Sequence, residues 1–114
     1  MDATLDRSLL RTVPMFQGLD DAALDEVLRM AERRRVRRGE TVFRQGDPAR
    51  AFYVLVEGRL KVTQVTPEGQ QVVVRFIGPR EMFGCVVVSG GQRYPGTATA
   101  TVDSVAVAWP QATT

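Results

Sequence analysis

Apolar positions in the first 32 residues recur at helical spacing. Leu5, Leu9 and Leu10 share one face, and Ala23, Leu24, Val27, Leu28 and Ala31 form a second stripe behind Asp20, whose side chain suits an N-cap. Pro14 and Gly18 interrupt the two runs, so the stretch "PMFQGL" predicts an elbow between paired helices. After Arg33 the period shortens, and apolar segments alternate with glycine at 39, 46, 58, 69, 78 and 84. The pattern predicts strands near 33–37, 41–44, 51–57, 59–66, 71–77, 97–101 and 104–109. "VEGRLKV" should turn at Gly58 and "TPEGQQ" at Gly69. The expected architecture is mainly β with flanking helices: a helical pair over about 5–32, then a roll of short antiparallel strands over about 33–109.

A chain of 114 residues, 44% of them hydrophobic, suffices for one domain around one core. The formal net charge of +2 is too small for a dedicated nucleic-acid binder. No signal peptide is visible and no apolar run approaches the ~20 residues that cross a bilayer, so a soluble cytoplasmic protein without a membrane partner is expected.

Histidine is absent, which removes Ser-His and Cys-His nucleophiles and the usual zinc sites, and no enzyme is expected. The lone Cys85 excludes a disulfide framework and a four-cysteine iron–sulfur cluster, and with no histidine a haem site is not expected. Flanked by Phe83, Val86, Val87 and Val88, this thiol reads as a small buried hydrophobe rather than a redox switch. Asp20, Asp21, Asp25 and Glu26 read as the solvated, N-terminally favoured face of a helix. The run "RMAERRRVRR" lacks interleaved aromatics and reads as an exposed face open to solvent or to a protein partner, with a phosphate backbone the lesser reading. In "GCVVVSGGQRYPGTATA", Gly84, Gly90, Gly91 and Gly96 can turn backbone N–H groups toward one anion.

The order "VPMFQGLDDAALDEVL", "GETVFRQGDPARAFYVLVEGRLKV" and "PEGQQVVVRFIGPREMFG" resembles the effector domain of CRP/FNR-type transcription regulators, from about Leu10 to Trp109. The resemblance implies a double-stranded β-helix, or jelly roll, of the cyclic nucleotide-binding type. It also implies a phosphate-binding cassette beginning at Gly84. Where cyclic-AMP-binding members carry a glutamate for the ribose, this chain has Cys85; a gapless register puts Tyr94 at the phosphate-binding arginine and Pro95 at the small hydroxyl residue that follows. A one-residue slip would bring Arg93 into the arginine's role. A hydrogen bond to a charged group is worth about 1.5–3 kcal/mol, so losing these contacts disfavours cyclic AMP as the effector. No other cofactor is specified.

By the same resemblance Val62, Val74 and Ile77 should line the roll's concavity, with Val86 and Tyr94 at the cassette, which suits either a small, less charged effector or a packed interior. The family also implies a full-length homodimer that reads DNA through a helix-turn-helix, while this chain stops at "AWPQATT", where the dimer helix would begin. The expectation is therefore a small-molecule-sensing regulatory domain with a degenerate cassette. The competing reading is a stand-alone module whose arginine-rich face meets an acidic protein.

Overall fold

The computed structural model describes residues 7–85 and 91–110. Leu5, Val86 and Gly90 lie outside these residues. The helical pair consists of α1 (Arg7–Arg11), a 3-10 turn (Pro14–Phe16) at the expected elbow, and α2 (Asp21–Met30). Asp20 caps α2 as the sequence indicates, its carboxylate accepting from the Ala23 N–H at 2.9 Å. Ala31 adopts an extended conformation and ends the helix, and the chain passes directly into the first strand.

Among the described residues eight strands follow: β1 (Glu32–Val36), β2 (Thr41–Phe43), β3 (Ala51–Glu57), β4 (Leu60–Val65), β5 (Gln71–Ile77), β6 (Met82–Phe83), β7 (Thr97–Ala100) and β8 (Ser104–Pro110). They form two four-stranded sheets, ordered β1-β8-β3-β6 and β2-β7-β4-β5, with every pairing antiparallel. This is the anticipated jelly roll. The short β6 escaped the sequence reading because two residues carry no period; it is recruited by β3, with Phe83 opposite Tyr53.

Alternation along β8 explains how the layers hold together. Ala106 and Ala108 point into the space between the sheets, where they meet Leu55, Leu60, Ile77 and Phe83. Val107 and Trp109 point outward and pack with Leu10, Val13, Phe16 and Leu24 of the helical region. The Trp109 indole donates to the Val27 carbonyl at 2.9 Å and its ring lies 5.3 Å from that of Phe16. Each fully buried leucine here contributes roughly 1.5–3 kcal/mol, so the helical pair is an integral layer of the fold.

Gly58 turns β3 into β4 with φ +99°, and a Cβ at this position would lie 2.1 Å from the Ser104 Oγ. Both the backbone angle and the space require glycine there.

Candidate functional site

A cavity of about 230 Å³ opens where β4 and β5 meet the start and end of the predicted cassette. Phe43, Val62, Val74 and Phe83 make its apolar wall, and Gln64, Arg75, Gly84, Cys85, Tyr94, Pro95 and Gly96 complete the lining. The volume falls below the roughly 300–1,000 Å³ of sites for drug-sized ligands. Compact ligands are favoured.

The second sheet shapes this wall through one irregularity. Val62 pairs with Arg75 and Thr63 with Val73, which leaves Val74 as an extra residue on β5. The bulge lets Val74 and Arg75, neighbours in sequence, both border the cavity. Beyond it the strand turns its last side chain inward. Ile77 is fully buried opposite Leu60 in the core between the sheets, and it does not line the cavity as expected.

Gly84, where the cassette is expected to begin, has φ +69°, and a Cβ there would press within 3.1 Å of the Phe43 and Tyr53 rings. The aromatic cluster beneath it is close: Tyr94 stacks on Phe43 with centroids 3.8 Å apart, and Tyr53 stacks on Phe83 at 5.0 Å. Burial, helped by neighbouring Tyr94, pushes the Tyr53 hydroxyl up to about 12, against a smaller opposing pull from Arg34. The half-buried Cys85 thiol is also pushed up by burial, and the Arg75 charge pulls it partly back. Cys85 thus faces the cavity as a largely neutral thiol.

Tyr94 is a structural anchor at the cavity floor. Its hydroxyl donates to the Ala51 carbonyl at 2.6 Å and accepts from the Ala51 N–H at 3.2 Å. Arg93 points the other way. Ala49 N–H donates to the Gln92 carbonyl, Tyr94 N–H to the Asp47 carbonyl and Gly46 N–H to the Tyr94 carbonyl, which fixes the register of this extended segment. Since successive side chains alternate and Tyr94 is buried, Arg93 is sent to the surface, where it donates to the Gly46 carbonyl at 2.7 Å. Arg93 is not a lining residue, contrary to the slipped register.

The structure therefore brings Val62, Val74, Gly84, Cys85, Tyr94 and Pro95 together, sets Ile77 and Arg93 apart, and leaves Val86 outside the described residues. Sequence reasoning missed Arg75. Within "VVVRF" it is the single charged position of an apolar strand, and that interruption was the available signal.

The remaining charge is peripheral. Arg7 pairs with Asp21 and Asp25, Arg11 with Asp21, and Arg29 with Glu26, all on the exposed side of the helices. The middle of the arginine run, Glu32–Val36, forms the edge strand β1, exposed except at Val36, while Arg29 belongs to α2. Arg33, Arg35 and Arg37 border a separate polar groove of about 330 Å³ with Glu57 and Asp103. Among the described residues no helix is long and apolar enough to cross a membrane.

Comparisons with known proteins agree with this geometry. The family model of the cyclic nucleotide-binding domain matches residues 33–114. The sensor domain of the transcriptional regulator DNR from Pseudomonas aeruginosa is similar with a TM-score of 0.84 and 32% identity, covering 91% of this chain and 70% of that one. The CRP-like cAMP-activated global transcriptional regulator of Mycobacterium tuberculosis is 29% identical over 76 residues, 67% of this chain and 34% of the relative. The global nitrogen regulator of Synechococcus elongatus is 38% identical over 79 residues, 69% of this chain and 33% of the relative. This chain spans about a third of the length of these two curated relatives.

Proposed function

This chain belongs to the cyclic nucleotide-binding domain family, and from that premise we propose that it is the sensing domain of a CRP/FNR-type transcription regulator, taking a compact effector in the cavity beside Gly84. The observation that carries the effector reading is the cavity itself: an apolar wall from two sheets, closed by the cassette's ends and bordered by few polar groups. Cyclic AMP is disfavoured as that effector. Arg93 faces away from the cavity, the Tyr94 hydroxyl is committed to the backbone of Ala51, and Cys85 replaces a carboxylate with a weak donor.

Signalling follows from differential affinity. The effector stabilises one arrangement of the cassette and of the chain beyond β8, and only the difference between its affinities for two arrangements can be transmitted. DNA recognition in a longer, dimeric protein would belong to a helix-turn-helix. The described helices are occupied otherwise, packed on the first sheet. Such a regulator works in the cytoplasm.

The groove bordered by Arg33, Arg35 and Arg37 favours a second reading, a module that docks an acidic protein. One experiment separates the two. A nuclear magnetic resonance fragment screen on the full chain should shift resonances of Val62, Val74 and Gly84, and Val74→Trp should abolish the shifts by filling the cavity. Fragments that leave this cavity untouched, with acidic peptides shifting β1 instead, would overturn the effector reading.

A further inference from the structure

We propose that Arg75, on β5, is the anion anchor of this cavity and that the ligand it selects is a compact monoanion with an apolar body, such as a small carboxylate. The inference rests on the effector reading given above and adds the chemical class.

Among the described residues, Arg75 is the one charged side chain lining the cavity. Its Nη2 donates to the Met82 carbonyl at 3.0 Å and stands 3.6 Å from the Glu81 carboxylate. A guanidinium carries five N–H donors, and these contacts draw on one terminal nitrogen, so other donors remain for a ligand. Glu81 is held in turn: its Oε1 accepts from the Gly78 N–H at 2.7 Å. The carboxylate thus sets the pose of Arg75 without enclosing it, since both side chains are about half exposed, at 48% and 51%. A long, exposed pair of this kind contributes little, and an incoming carboxylate can take its place with two parallel hydrogen bonds.

The opposite wall fixes the rest of the ligand. Phe43, Val62, Val74 and Phe83 offer apolar contact and no second cation. A dianion would hold one charge against that wall or against Glu81, unpaired in either place. One charge at the rim and an apolar body inside match the single cation and the apolar wall.

The test compares benzoate with benzamide, which share shape and differ in charge, by calorimetry on the full chain. Benzoate should bind roughly tenfold tighter or more, the return of a charge-assisted hydrogen bond. Arg75→Gln should erase this preference by weakening benzoate binding far more than benzamide binding. Arg93→Ala should preserve it, and Glu81→Gln, which keeps the acceptor for Gly78, should strengthen benzoate binding several-fold. Equal affinity for the two probes, or a preference that survives Arg75→Gln, would overturn the anchor while leaving the cavity as a ligand site. Failure of both probes to bind, or binding that Val74→Trp does not disturb, would overturn the effector reading together with the anchor.

Discussion

The Tyr94 hydroxyl and the Ala51 backbone satisfy one another in both directions, through bonds of 2.6 Å and 3.2 Å. Leu55 exchanges backbone hydrogen bonds with Glu81 and Arg80 on the β6 side of β3, alternation turns the Ala51 N–H and C=O to that same side, and β6 ends at Phe83 opposite Tyr53, short of Ala51. The phenol supplies the donor and acceptor that this end of the sheet lacks. We predict that Tyr94→Phe destabilises the fold by about 1–3 kcal/mol, because it strands a buried carbonyl and N–H. Urea denaturation measures this; a loss below about 0.5 kcal/mol would show that the pair is dispensable.

Gly58→Ala should be worse tolerated than most turn substitutions. The added methyl meets Ser104, whose buried hydroxyl donates to the Val102 carbonyl and accepts from the Arg59 N–H. Left-handed strain and overpacking together predict a loss of at least about 2 kcal/mol. The double variant Gly58→Ala with Ser104→Ala should recover only part of it, since φ remains +99°. A melting temperature equal to wild type for the single variant would contradict the geometry.

Tyr53 sets an alkaline limit. Its folded value, about 12, lies above the ordinary value of 10.0, so the folded state holds the proton more tightly than the unfolded chain. This contribution is complete below pH 10.0 and is lost as pH rises through about 12. Phenolate absorbance should show one tyrosine titrating late in the native state and normally after denaturation. Tyr53→Phe should remove the late step. A native titration indistinguishable from the denatured one would contradict the burial argument.

Much of this architecture is legible in the sequence because periodicity and turn chemistry agree. The Asp20 cap, the Gly58 and Gly69 turns and the apolar strand expected near 104–109 each tie a local rule to an observed element. The site is less legible, for physical reasons. Val72, Val73, Val74 and Phe76 look like core residues in the sequence, yet β5 is the edge of its sheet and leaves all of them exposed. The bulge at Val74 depends on pairing with β4, and no window along β5 alone encodes it. A one-residue slip in register would make Arg93 the phosphate's partner, but which way it points is decided by hydrogen bonds between residues 46–49 and 92–94, far apart in sequence. Arg75 escapes a sequence reading for the converse reason: its place at the cavity depends on β4, β5 and residues 83–85 and 94–96 coming together.

The central claim is that this domain keeps the family's roll and replaces its cyclic-phosphate chemistry. Calorimetric titration of cyclic AMP into the full chain tests it most directly. The account predicts binding that is absent or no tighter than roughly the high-micromolar range, as expected once charged anchors are lost, and unchanged by Arg93→Ala. Submicromolar affinity that disappears in Arg93→Ala would contradict it, by showing that Arg93 leaves the Gly46 carbonyl to bind the phosphate.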